Sequence, residues 1–247
     1  AAAVRRRLGV VFQSPSLDLE LTVRENLVHQ GRLHGLTGTA LVGAIADALG
    51  RLGLADRAAE RAKALSGGLR RRAEIAKSLL HRPDVLLLDE PSTGLDPGAR
   101  RELWRTLDEL RGGGMTVLLT THFIEEAERC DRLLLLDRGR IVAAGSPEAL
   151  ESEIGGDVVT IVPRGGAGTA RSLAGEITER FPELNAEALE SSGDGAVRFE
   201  REDAHRFVAR LAEAFPGRIE SLTVSRPTLE DVFLRHTGRG LYEGPER

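Results

Sequence analysis

Val85-Leu86-Leu87-Leu88-Asp89-Glu90-Pro91 is the stretch that decides the fold. Its unbroken apolar run leaves no polar position for solvent, the pattern of a strand buried on both faces of a parallel sheet. The run ends in two adjacent carboxylates and a proline. Ligands of open α/β sheets bind outside the carboxyl ends of the strands, so Asp89 and Glu90 stand where chemistry is expected.

The flanking sequence alternates in the same sense. Arg7 to Phe12 reads as a short strand that stops at Gln13-Ser14-Pro15. Thr22-Val23-Arg24-Glu25 is a capping box that starts a helix through Leu33, and a second helix covers Thr39 to Leu52. Ser66-Gly67-Gly68 precedes a third, to Leu80. After the apolar run come a helix over Pro97–Arg111, a strand over Thr116–Thr120, a helix over Ile124–Arg129 and a strand over Arg132–Leu136. This order predicts a βαβ sheet with helices on both faces, closed by a hairpin through Arg138-Gly139-Arg140 into Ile141-Val142-Ala143. Gly155-Gly156 marks the expected boundary. Beyond it the order becomes strand (158–162), helix (169–181), strand (186–190), turn (191–195), strand (196–200), helix (202–215) and strand (219–224). That β-α-β-β-α-β order is ferredoxin-like. A last helix is expected over Pro227–His236, with a frayed tail after Gly238.

Two local patterns carry chemistry. Two glycines at a helix start leave backbone N–H groups open, and the helix dipole favours an anion there, so Ser66-Gly67-Gly68 is a candidate phosphate contact. A serine N-cap with flexible glycines reads equally well from these residues alone. Asp89 at a strand tip can hold Mg²⁺, and the acid that follows can polarise a water. Two solvated loop acids are the plain alternative.

Taken in order, the motifs resemble an ATP-binding cassette (ABC) transporter nucleotide-binding domain. Gln13 matches the Q-loop, Leu65-Ser66-Gly67-Gly68 the signature, and Leu86–Asp89 with Glu90 the Walker B segment. Gly94-Leu95-Asp96 matches the D-loop, and His122 the switch histidine. The resemblance implies a fold class: an α/β P-loop NTPase domain over 1–154, plus a small α+β ferredoxin-like module over 155–247. It implies ATP and Mg²⁺ as ligands, with Asp89 and Gln13 at the metal, Glu90 as general base and His122 at the γ-phosphate. Gln13 would also relay the nucleotide state. Ser66, Gly67 and Gly68 would bind a nucleotide held mainly by a second such subunit, a homodimer partner, and Asp96 would couple the two sites.

Leu69-Arg70-Arg71-Arg72, Thr121-His122-Phe123-Ile124-Glu125-Glu126 and Pro227-Thr228-Leu229-Glu230-Asp231-Val232-Phe233-Leu234 further resemble daunorubicin-resistance-type subunits. That likeness implies an ATPase at the cytoplasmic face of the cell membrane, paired with an ABC-2-type transmembrane permease for drug, lipid or polysaccharide efflux. Leu17, Leu19 and Leu21 are candidate contacts for the permease. Two other readings remain at this stage. One is a non-catalytic regulatory or scaffold subunit that lends its signature to a partner's nucleotide. The other is an ABC ATPase acting on DNA or ribosomes.

Composition narrows these. A net charge of −4 gives no basic footprint for nucleic acid. The single cysteine, Cys130, excludes an internal disulfide framework and a multi-cysteine metal site. Scattered histidines with no i, i+4 pair give no metal-ligand case. No apolar run approaches the roughly 18 residues of a membrane span. Of 34 basic residues only Lys63 and Lys77 are lysines. Neither completes the phosphate-binding pattern G-x-x-x-x-G-K-[ST] of a P-loop. Lys63 is followed by Ala64. Lys77 is followed by Ser78, but Arg71 and Ala76 stand where the glycines must be. Gly165-Gly166-Ala167-Gly168-Thr169 has no lysine. The expectation is a domain written here without its Walker A segment, favoured as a fragment of a longer protein that begins before Ala1, with a naturally P-loop-less protein as the alternative.

Overall fold

The computed structural model describes residues 2–165, 167–184, 187–189 and 195–238. Positions 191–194 of the expected turn over 191–195, both ends of the expected strand over 186–190, Gly166 and the tail after Gly238 lie outside the described residues. The chain divides into two compact units, Ala1–His122 and Phe123–Arg247.

The first unit runs α1 (Ala2–Arg6), β1 (Leu8–Val11), α2 (Val23–Leu33), α3 (Gly38–Arg51), α4 (Gly67–Leu79), β2 (Val85–Asp89), α5 (Pro97–Gly112) and β3 (Thr116–Thr120). The three strands form a parallel sheet in the order β1-β2-β3. The apolar run is its centre, with Leu86 opposite Gly9 and Val117, and Asp89 opposite Thr120. Thr22 caps α2 as a capping box with Glu25, as its spacing predicts. The Thr22 N–H and hydroxyl donate to the Glu25 carboxylate and hold its pKa below the ordinary value. Leu86, Leu88 and Val11 join Leu27, Ile45, Ile75 and Leu103 in one core. Burying each such side chain is worth about 1.5–3 kcal/mol. Gly9 admits helix α4 close to the sheet: a Cβ there would lie 2.9 Å from the Ser78 carbonyl oxygen.

The other sheet face departs from expectation. Leu118 is 60% exposed and Val10 40%, so within this unit the helices α2 to α5 pack on one face only. An unbroken apolar run carries no period, and therefore cannot say which of its faces is covered. Leu17 is a core residue, not a surface contact, whereas Leu19 is exposed.

The second unit begins with α6 (Ile124–Ala127), β4 (Leu133–Asp137), β5 (Arg140–Gly145) and α7 (Pro147–Glu151). The expected hairpin forms, turning on Arg138 and Gly139, both at positive φ. It does not close the parallel sheet, however. Among the described residues β4 pairs only with β5. A two-residue turn places the antiparallel neighbour at minimal loop-closure cost, and the apolar run of β4 has no period to assign it to another sheet.

Then follow β6 (Asp157–Pro163), α8 (Ala167–Arg180), β7 (Glu187–Leu189), β8 (Ala196–Arg201), α9 (Ala204–Ala214), β9 (Ile219–Ser225) and α10 (Leu229–Thr237). The strands form an antiparallel sheet ordered β7-β8-β6-β9, on which α8 and α9 pack through Leu173, Ile177, Phe207 and Leu211. Gly156 is required where β6 starts: its φ is 138°, and a Cβ would sit 2.4 Å from the Arg201 backbone. Helix α10, capped by Thr228 and Asp231, buries Leu229 and Val232 against Ala143, Leu150 and Ile154.

Candidate functional site

The site lies at the carboxyl end of β2. Strand β3 is parallel and in register, so Thr120 arrives beside Asp89. The Thr120 hydroxyl donates to Asp89 Oδ1 at 2.6 Å and accepts from the Glu90 N–H at 3.0 Å. Glu90 turns the chain at φ 40°, a left-handed conformation that a residue with a Cβ rarely adopts.

The Glu90 carboxylate gathers the other predicted groups. Gln13 Nε2 donates to Oε2 at 3.1 Å, reaching it from the loop after β1. Thr93 Oγ1 donates to the same oxygen at 3.0 Å. His122 Nδ1 lies 3.6 Å from Oε1, just beyond the end of β3. Gln13 and His122 are exposed, and the Glu90 side chain keeps 31% of its surface open to solvent. A carboxylate oriented by three neighbours yet reachable by water has the geometry of a general base.

A second group forms at the start of α4. Ser66 is the N-cap and accepts from the Leu69 N–H at 3.4 Å. Gly67 faces Leu95, and Gly68 lies so close to α5 that a Cβ would be 2.6 Å from Ala99 Cβ. The start of α4 therefore packs against Leu95 and the start of α5. Asp96 caps α5, its Oδ1 accepting from Gly98 N at 2.9 Å and Ala99 N at 3.0 Å. The Ala99 N–H, with a smaller contribution from Gly98, holds this carboxyl below its ordinary pKa. So the structure brings Gln13, Asp89, Glu90 and His122 together, and separately joins Ser66–Gly68 to Leu95–Ala99.

The donor set suits Mg²⁺ more than a transition metal. Among the described residues no cluster of three His, Cys, Asp or Glu side chains is placed to hold an ion. Mg²⁺ is commonly held by one or two carboxylates with substrate phosphates, which Asp89 and its neighbours match. Both lysines have other work. Lys63 Nζ lies 2.7 Å from Glu20, and Lys77 Nζ donates to the Ser16 carbonyl at 2.7 Å. Burial pushes the Lys77 pKa down.

Sequence reasoning missed the residues that hold this site in shape. Thr120 and Thr93 carry no motif signal beyond their nearness to His122 and Glu90. Arg71, quoted only as part of the run Leu69–Arg72, and Glu74, both buried in α4, had no assigned role either.

Comparison with known proteins agrees with the geometry. Residues 1–93 match the family described as ABC transporter. Nod factor export ATP-binding protein I of Burkholderia lata is 43% identical over 247 residues, which is 98% of this chain and 76% of that protein. This chain belongs to the ABC transporter ATP-binding proteins. Daunorubicin resistance ATP-binding protein DrrA3 of Streptomyces coeruleorubidus is 40% identical over 241 residues, 96% of this chain and 74% of that protein. A Nod factor export ATP-binding protein I from Ralstonia nicotianae is 42% identical, over 97% of this chain and 73% of its own length. ABC ATP-binding proteins bind and hydrolyse ATP, with Mg²⁺ as the usual partner. Among the described residues of this family member, no helix is long and apolar enough to cross a membrane.

Proposed function

We propose that this chain is the ATP-hydrolysing subunit of an ABC-2-type exporter. The observation that carries the reading is the convergence of Gln13, Thr93 and His122 on the Glu90 carboxylate at the tip of β2. Glu90 takes the proton of the attacking water, its free surface facing solvent. His122 stabilises charge developing on the γ-phosphate, and Gln13 senses the occupied site. Asp89 and Gln13 would hold Mg²⁺, which would supply positive charge to the phosphates. The start of α4 offers Ser66, Gly67 and Gly68 to a γ-phosphate held mainly by a second copy, where open N–H groups and the helix dipole favour an anion. Asp96, fixed against that helix, couples the two sites of the homodimer.

In this reading residues 1–154 are the nucleotide-binding part. Residues 155–247 are a ferredoxin-like accessory module, supported by the strand order β7-β8-β6-β9. The 247 residues contain no G-x-x-x-x-G-K-[ST], so a P-loop is no part of them. The relatives are described as serving Nod factor export and daunorubicin resistance. The cargo here is accordingly a drug, lipid or saccharide, moved by a transmembrane permease with this subunit on its cytoplasmic side.

The test is Glu90→Gln in the full-length protein co-expressed with its permease. A positioned general base contributes about 10²–10⁴ in rate. ATP turnover should fall at least a hundredfold while ATP binding persists. Turnover at the wild-type rate would refute the assignment, and no ATP turnover by the wild type would favour the scaffold reading.

A further inference from the structure

Arg71 makes contacts that none of the motifs explains. It lies in the second turn of α4 and is 8% exposed. Its Nε donates to the Pro91 carbonyl at 2.8 Å. One terminal nitrogen donates to the Phe12 carbonyl at 2.7 Å and to Glu74 Oε2 at 2.9 Å. The other reaches the carbonyls of Asp89 at 3.0 Å and Glu90 at 3.2 Å. A single guanidinium thus gathers three consecutive carbonyls from the tip of β2 and one from the residue before Gln13. The three can converge because Glu90 is left-handed, which swings its peptide planes toward one side.

The same face of α4 holds the far end of the Gln13 loop. Glu74 Oε1 accepts from Ser16 N at 2.8 Å, and Lys77 Nζ caps the Ser16 carbonyl at 2.7 Å. Glu74 also neutralises Arg71, which an isolated buried charge requires. Arg71, Glu74 and Lys77 are spaced by three, so one helix stripe grips both ends of the loop.

We propose that Arg71 is a positioning residue for ATP hydrolysis. It holds the Glu90 carboxylate and the Gln13 loop in one frame with the helix whose first turn is the signature. The proposal rests on the reading of Glu90 as general base. Lysine cannot substitute, because an ammonium is a point charge on a flexible stem and lacks the planar five-donor fork that spans these acceptors.

The test is Arg71→Lys in the full-length protein with its permease. The change keeps the charge that pairs with Glu74. A misplacement of about 1 Å at a reacting group can cost about 10²-fold. We expect kcat for ATP to fall 10- to 100-fold, with KM within about threefold of wild type. In a Glu90→Gln background the same change should cost clearly less than in the wild type, because one of the two groups it positions is already gone. Glu74→Gln is the second variant. It leaves Arg71 hydrogen-bonded but loosens its anchor, and should lower kcat in the same KM-preserving way.

A wild-type kcat in Arg71→Lys overturns the proposal. So does an equal loss of kcat in the presence and absence of the Glu90 carboxylate, or failure of both variants to melt cooperatively, since each assigns Arg71 to folding alone. Unimpaired hydrolysis by Glu90→Gln would instead overturn the functional reading beneath it.

Discussion

Gly68→Ala tests the packing of the signature helix against the D-loop helix. A Cβ built at Gly68 meets Ala99 Cβ at 2.6 Å and Ala99 Cα at 3.5 Å. Carbon pairs rest at about 3.5–4.0 Å, so the start of α4 must retreat from α5 by roughly 1 Å. Overpacking of this kind costs about 1–3 kcal/mol. Replacing a helical glycine by alanine returns up to about 1 kcal/mol, so from the middle of that range, about 2 kcal/mol, a net destabilisation of about 1–2 kcal/mol is left. In a protein of this size that is roughly a 2–8 °C fall in Tm. The same geometry predicts its own rescue. Ala99→Gly removes the obstructing Cβ and leaves only the 3.5 Å contact with Cα, which is ordinary. Alone it should cost up to about 1 kcal/mol through helix propensity. Combined with Gly68→Ala it should return stability close to wild type, a coupling of about 1 kcal/mol or more. Urea and thermal melts of the full-length protein and its three variants measure the cycle. Additive losses in the double variant would refute the clash as the reason for glycine at position 68.

Two further predictions concern the caps of the site. Thr120→Val keeps the side-chain shape but removes the bonds to Asp89 Oδ1 and the Glu90 N–H; ATP turnover should fall at least tenfold for a stability loss of about 1 kcal/mol, and Thr120→Ser should retain both. Equal turnover in the valine variant would show that the Asp89–Glu90 tip keeps its shape without the hydroxyl. Asp96→Asn preserves a good N-cap and should leave stability near neutral pH unchanged. The Asp96 carboxyl titrates below its ordinary value of 3.8 in the folded chain, so the unfolded chain takes up a proton first as pH falls. Its stabilising contribution is present above that value and is lost through the folded pKa. Acid titration of stability below about pH 4 should therefore be shallower in the asparagine variant, and an unchanged slope would contradict the capping assignment.

What could be read from the sequence was local. The capping box at Thr22, the hairpin at Arg138-Gly139 and the acids ending β2 each depend on residues within a few positions of one another. Gln13 and His122 were found through family resemblance, which carries long-range information that periodicity does not. Arg71 escaped for a physical reason. It stands in the run Arg70-Arg71-Arg72, and α4 is buried on nearly every side, including Ala73, Glu74, Ile75, Ala76 and Ser78. A helix covered all round has no amphipathic phase to show which arginine points inward. Thr120 escaped because its partner is chosen by the β2–β3 register, a property of the assembled sheet. The bare face at Val10 and Leu118 escaped because the central strand is apolar on each side, although β3 itself puts Thr116 and Thr120 beside Leu118 on the exposed face.

The conformation of Glu90 is fixed by its protein neighbours. Four non-glycine residues have positive φ among those described: Arg82, Glu90, Arg138 and Asp203. Arg82 follows a helix, Arg138 turns a hairpin and Asp203 opens a helix, so turn geometry accounts for each. Glu90 instead follows a central strand, where a glycine would relieve a strain of order 1–3 kcal/mol. Strain of that size persists only when neighbours over-determine the backbone. Here the neighbours are identifiable: Thr120 binds the Glu90 N–H, Arg71 binds the carbonyls on both sides of it, and Thr93 and Gln13 bind its carboxylate. Glycine would keep the turn and lose the carboxylate. A carboxylate in relaxed backbone would lose the carbonyl arrangement that Arg71 reads. Only glutamate or a close relative in the strained state satisfies both, which ties the strain at residue 90 to the presence of a buried arginine at residue 71.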